Sequence, residues 1–318
     1  MIMLFAAVML TGMMMGPAGC GKHEETISQT VDDNDSVDIG LSIDSLVIER
    51  WQRERDLFVN KATELGANVN VQNANGDVEE QIRQIEYFID KKMDVIVIIS
   101  IDDMALTDVI ARAKKAGIKI IAYDRLIRDA DVDLYISMDN ERVGELMGEY
   151  IRKAIGNTGH IIQIKGSPTD NNVAMVQTGF ERVISKTNIS IDYVADADNW
   201  LAETAFTETS RYLSSGNVPD AIMCGNDNLA AYAIKALIEN RLGGEVCVVG
   251  QDADLEACQR IVEGTQYMTV YKPVENLAKM SASIAVDMAN GIAPDTDDTI
   301  DDGTYTVPSM KLDPIAVT

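Results

Sequence analysis

From residue 37 the chain alternates short β-branched runs with segments whose apolar positions recur at helical spacing. VDIGLSI (37–43), NVNVQ (68–72), DVIVIIS (94–100) and IKIIAY (118–123) predict strands. Between them Val78, Ile82, Ile85 and Ile89 fall on one stripe of a helix, and Leu106, Val109, Ile110 and Ala113 repeat the pattern. Strands separated by helices require parallel pairing with right-handed crossovers, which predicts a doubly wound lobe. After YISMDN (135–140) the alternation starts again. Helices near 140–155, 171–185, 201–213 and 227–239 interleave with HIIQI (160–164), ISIDYV (189–194), DAIMC (220–224) and EVCVVG (245–250). YMTVY (267–271), a helix near 274–289, the acidic turn PDTDDTIDDG and two short strands complete the pattern. The expected fold class is α/β, two doubly wound parallel-sheet lobes joined by crossings that act as a hinge. One lobe comprises 37–138 plus 268–297 and the other 139–267 plus 298–318, with a cleft between them.

The first residues do not fit this alternation. Residues 1–19 carry no charge and are mostly apolar, and Cys20 follows the small pair Ala18-Gly19. This reads as a signal peptide ending at a lipidation site, although no Lys or Arg precedes the apolar run and Pro17 is atypical. Residues 20–36 then form a lipidated cysteine and an acidic tether, so that the membrane is met only through the lipid anchor.

Composition narrows the chemistry. The 318 residues suit two domains, and 27 Lys+Arg against 51 Asp+Glu give a formal charge of -24, which opposes binding to nucleic acid. Four cysteines without a CxxC and two histidines make neither a disulfide scaffold nor a metal site, and no cofactor is expected. Cys224, Cys247 and Cys258 are expected as small apolar residues in or near the second core. Signatures of hydrolases, nucleotide hydrolases and dinucleotide enzymes are missing, and no catalytic residue is assigned.

In open α/β sheets ligands bind beyond the carboxyl ends of the strands. Those ends carry IDSLVIERW, YDR, GSPTDNN, DADNW, CGNDN and GQDAD, so that Asp, Asn, Arg or Trp stands at each. Carboxylates, amides and guanidinium groups pair with vicinal hydroxyls, and indole faces pack on the C–H faces of a sugar ring. Any single Asp or Asn there could instead cap a helix. Recurrence over six strand ends favours a neutral polyhydroxy ligand.

ERWQRERD (49–56), YDR (123–125), YISMDN, GSPTDNN (166–172), GNDN (225–228), GQDAD (250–254) and GTQYMTVYKP (264–273) resemble, in order, the type I periplasmic sugar-binding family, in its xylose-binding branch, which serves bacterial ABC importers. The likeness runs from about residue 37 to 290. It implies that Arg50, Asp124, Arg125, Asn172, Asn226, Asp252 and Lys272 hydrogen-bond a monosaccharide, xylose or a related sugar, while Trp51 and Trp200 stack on its ring. Asp170 and Asn171 are weaker candidates. Trp51 could instead anchor its helix in the core, Lys272 could neutralise neighbouring carboxylates, and Asp252 could cap a helix. The resemblance implies a monomer that closes around the sugar and delivers it to ABC permease subunits. A sensor subunit reporting to a membrane histidine kinase or chemoreceptor is the alternative. A sugar-responsive repressor would need an N-terminal helix-turn-helix where residues 1–36 supply a signal and a linker, and a sugar-processing enzyme is disfavoured by the same motifs.

Overall fold

The structure, a computed structural model, describes residues 36–46 and 50–318; the expected signal peptide and the lipidated Cys20 lie outside them. The first lobe runs β1 (Asp38–Ile43), α1 (Arg50–Glu64), β2 (Asn68–Asn73), α2 (Val78–Asp90), β3 (Val95–Ile98), α3 (Thr107–Lys115), β4 (Lys119–Tyr123) and β5 (Leu134–Met138). The second runs α4 (Asn140–Ile155), β6 (Thr158–Lys165), α5 (Asn171–Ile184), β7 (Asn188–Asp196), α6 (Glu203–Ser214), β8 (Ala221–Cys224), α7 (Asp227–Glu239), β9 (Cys247–Val249), α8 (Leu255–Glu263) and β10 (Thr269–Tyr271). The chain finishes with α9 (Val274–Ala289), β11 (Thr299–Asp301), β12 (Thr306–Leu312) and β13 (Ile315–Val317).

The first sheet has seven strands in the order β11-β12-β5-β4-β3-β1-β2, and all its pairs are parallel except β11 with β12. Every residue of β3 is buried because both faces are covered, which is why VIVI reads as a continuous apolar run rather than an alternating one. On one face Trp51 and Phe58 of α1 pack with Leu277, Ala278 and Ala282 of α9. On the other, Ile85 and Phe88 of α2 meet Val109 and Ile110 of α3. The second sheet, β7-β6-β8-β9, is likewise parallel and is covered by α4 and α5 on one face and α6 and α7 on the other. Two glycines let α4 and α5 meet backbone to backbone. A Cβ on Gly144 would stand 1.9 Å from the carbonyl oxygen of Val176, and one on Gly179 would stand 1.8 Å from that of Glu141.

The tail departs from the expected division. Ser309–Leu312 of β12 pair with Tyr135–Met138 of β5, so most of 298–318 completes the first sheet rather than the second lobe. Conversely β10 stays with the second lobe: Met268 bridges Val249, Val270 packs in that core, and β10 pairs with β13. Alternating apolar residues can mark a strand but cannot say which sheet edge it joins. The chain therefore passes between the lobes after β5, after β10 and between β12 and β13, the first and last passages being tied by the Asp139 N–H donating to the Leu312 carbonyl at 2.9 Å. Two further elements depart from the sequence pattern. The acidic run expected as a turn contains β11, and α8 forms where no helix is expected, because it buries only Ala257 fully and leaves Leu255 and Val262 exposed.

Candidate functional site

Each expected site residue stands at or just beyond the carboxyl end of a strand. Arg50 and Trp51 open α1 beyond β1; Asp124 and Arg125 follow β4; Asn172 follows β6; Trp200 follows β7; Asn226 follows β8; Asp252 follows β9; and Lys272 follows β10. All except Trp200, which is half-buried, are buried.

The charged members meet in one cluster. The Arg50 guanidinium lies 2.8 Å from Asp124 Oδ2, 3.1 Å from Glu54 Oε1 and 3.8 Å from Asp252 Oδ1. Lys272 Nζ reaches the same Asp252 oxygen at 2.9 Å. Arg125 pairs through NH1 with Asp44 and through Nε with Asp170 Oδ2 at 2.7 Å, and donates to the Ser100 carbonyl at 2.8 Å. Asn172 Nδ2 donates to the Asp124 carbonyl at 2.9 Å and to its Oδ2 at 3.2 Å. Arg50, Asp124 and Arg125 belong to the first lobe and Asp170, Asn172 and Asp252 to the second, so these contacts cross the cleft. A backbone seam accompanies them, with the Asp103 N–H donating to the Thr169 carbonyl at 3.1 Å and Thr169 Oγ1 to the Ile101 carbonyl at 3.2 Å.

Burial opposes every charge here, and the pairings decide which charges persist. Although burial alone would lower it, the Arg50 pKa is held well above its usual value by Asp124, Glu54 and Asp252. Burial likewise works to raise the Asp124 carboxyl, yet Arg50 and Lys272 prevail and hold it below the usual range. Glu54 goes the other way: burial pushes it up to about 7 against the pull of Arg50, and its carboxylate accepts a hydrogen bond from the Tyr123 hydroxyl. Burial also raises Asp170 despite Arg125.

The backbone is held in uncommon conformations at the same places. Asp124, Trp200 and Asp252 have φ of 63°, 58° and 105°, values a non-glycine residue adopts only where surrounding bonds over-determine them. For Asp124 those bonds are its N–H donating to the Ile136 carbonyl at 2.7 Å and its carbonyl accepting from Ser137 Oγ at 2.6 Å.

The two tryptophans differ. Trp51 lies in the first-lobe core with the Arg50 guanidinium 4.0 Å over its ring and that of Arg125 at 5.7 Å, so it does anchor its helix and also carries two cluster cations. Trp200 lies against Gly166, where a Cβ would come within 2.2 Å of the indole, and lines a cavity of about 220 Å³ shared with Asp44, Ser45, Asn75, Arg125 and Ser167. Neither indole N–H has a hydrogen-bond partner among the described residues. The capping role applies to Asn226, whose side chain accepts from the Leu229 N–H at 2.8 Å, and to Asp170, which accepts from the Asn172 N–H at 3.0 Å. Asn171 is half-buried in the first turn of α5. Lys272 does neutralise a neighbouring carboxylate, that of Asp252.

Sequence reasoning did not single out Asp44 and Glu54. Asp44 was detectable as a carboxylate directly after a strand, and Glu54 as the residue one helical turn beyond Arg50. Among the described residues no group of three or more His, Cys, Asp or Glu could hold a metal ion, and no helix is long and apolar enough to cross a membrane. Cys224 is buried in the second core, where desolvation pushes its thiol pKa up.

A periplasmic binding protein domain matches residues 39–293. The chain is 47% identical over 284 residues to the D-xylose-binding periplasmic protein of Haemophilus influenzae, covering 88% of this chain and 85% of that one. It is 46% identical over 286 residues to the D-xylose-binding periplasmic protein of Escherichia coli, covering 88% and 86%. Among solved structures it resembles an ABC transporter solute-binding protein from Clostridium phytofermentans with bound β-D-glucose, with a TM-score of 0.80 and 29% identity over 88% of this chain and 93% of that one. Two parallel-sheet lobes, polar residues gathered at their strand ends and these likenesses lead to one conclusion: the chain belongs to the periplasmic binding protein family.

Proposed function

We propose that the protein captures a neutral monosaccharide, D-xylose first, between its lobes and delivers it to an ABC permease, without making or breaking a bond. The observation that carries this reading is the buried cluster at the strand ends, in which Arg50, Asp124 and Arg125 of one lobe face Asn172 and Asp252 of the other. Carboxylates accept from sugar hydroxyls and guanidinium and ammonium groups donate to them, so each vicinal pair of hydroxyls finds both kinds of partner. Hydrogen bonds to charged groups contribute about 1.5 to 3 kcal/mol each, and a micromolar complex needs about 8 kcal/mol net. Side chains already fixed by ion pairs and a tightly determined backbone lose little further freedom on binding.

In this reading Asn226, Asp252, Lys272 and Asn172 contact the sugar from the second lobe and its adjoining crossing, with Arg50, Asp124 and Arg125 opposite. Trp200 offers a ring face, while Trp51 acts through the guanidinium that covers it. The protein works outside the cytoplasmic membrane as a monomer, held there by lipid on Cys20; Cys20→Ser should release it or leave an uncleaved precursor, and a wild-type mature form without lipid would contradict the anchor. Calorimetric titration with xylose, ribose, arabinose and glucose tests the ligand. Xylose should bind most tightly, and failure of all four to bind would refute the reading.

A further inference from the structure

Asp227, the first residue of α7, is a buried carboxylate without a salt-bridge partner among the described residues, placed directly after the candidate sugar ligand Asn226. Its Oδ1 accepts from Gln266 Nε2 at 2.8 Å. Its Oδ2 accepts from Thr269 Oγ1 at 2.7 Å and from the Asp254 N–H at 3.1 Å. Its backbone N–H donates to the Gln251 carbonyl at 2.9 Å, and its own carbonyl accepts from Arg260 NH2 at 3.0 Å. Thr269 Oγ1 accepts in turn from the Ala253 N–H at 3.1 Å, next to the left-handed backbone at Asp252 and Ala253.

We propose that Asp227 is a positioning residue for sugar binding: its carboxylate ties the loop carrying Asn226 to the loop carrying Asp252 and to β10, and so sets the spacing at which both side chains reach one sugar. The proposal rests on the reading given under Proposed function. Both oxygens face donors, so an Asn side chain, in either orientation, turns its NH2 towards an N–H or hydroxyl donor and must break one of the ties. The charged and titratable groups facing Asp227 are Asp252 and Asp254 on the loop after β9, Arg260 on α8 and Cys224 at the end of β8. Burial raises the Asp227 pKa to about 7, with Asp252 adding to the rise and the hydrogen bonds from Thr269 and Gln266 opposing it. The carboxylate therefore becomes a poorer acceptor as the pH falls through that value.

Xylose affinity is measured for the wild type, Asp227→Asn, Thr269→Val, their double variant and Asn226→Ala between about pH 6 and 8. Asp227→Asn should weaken binding about tenfold at the upper end, the loss of one hydrogen bond's worth. Its affinity should change less with pH than that of the wild type. Thr269→Val should weaken binding too, and the double variant should be little worse than the poorer single one, because both cut the same tie. Wild-type affinity and pH profile in Asp227→Asn, with Asn226→Ala impaired, would overturn the positioning role and leave the site reading intact. Unchanged binding in Asn226→Ala and Asp227→Asn alike would overturn both. Should Asp227→Asn fail to fold, unchanged affinity in Thr269→Val overturns the proposal.

Discussion

Arg125 joins the two lobes at the scale of a single side chain. It is buried between Asp44 of the first lobe and Asp170 of the second, and removing one partner of a buried ionic group leaves the others uncompensated. Arg125→Ala should lower xylose affinity by at least about 2 kcal/mol, roughly thirtyfold. From its position at a strand end alone, the variant would be expected to fold. The ion pairs predict instead an additional loss of about 3 kcal/mol in denaturant unfolding; a variant with unchanged binding would show that the site lies elsewhere. Glu54 gives a second test at this scale. Its folded pKa of about 7 exceeds its usual value, so its protonated form contributes stability that is fully present below the unfolded value and lost as the pH rises through about 7. Glu54→Gln should therefore flatten the decline of melting temperature over that window, and identical slopes in the two proteins would contradict the burial argument. Arg50, Asp124 and Asp252 were legible as polar residues at strand ends. Asp44, Glu54 and Asp227 were legible only as positions, after a strand or one helical turn beyond Arg50; that each carboxylate supports another side chain depends on burial and partners that no local pattern carries.

At the scale of elements, strands and helices of the two alternating series were legible because burial on both faces writes continuous apolar runs into strands such as β3 and one-sided stripes into helices such as α2. The lobe assignment of the tail was not, because β12 earns its place by pairing with β5, more than 160 residues earlier, as the register of Met310 with Ile136 shows. Nor was α8, a nine-residue helix whose one fully buried side chain is Ala257. The α4–α5 contact depends on glycine, and the neighbours of Gly144 and Gly179 are backbone atoms that cannot turn aside. Gly144→Ala should cost about 3 kcal/mol or more by forcing the helices apart. Urea unfolding of the variant measures it, and a midpoint equal to the wild type's would contradict the close approach.

For the whole molecule, the contacts between Arg125 and Asp170, Asp124 and Asn172, and Arg50 and Asp252 exist only while the lobes face each other closely. Among the described residues three passages of chain join those lobes, and rigid bodies so connected open and close by changes at a few residues. A ligand shifts that equilibrium only by binding one state better, and a sugar touching both lobes meets that condition. The overall charge of -24 acts against the close approach that these ion pairs hold. Small-angle scattering of the protein titrated with xylose, followed together with tryptophan emission from Trp51 and Trp200, tests this account most directly. Saturation should shrink the radius of gyration and change the emission at the same xylose concentration; xylose that binds by calorimetry yet leaves both signals unchanged would contradict capture by closure.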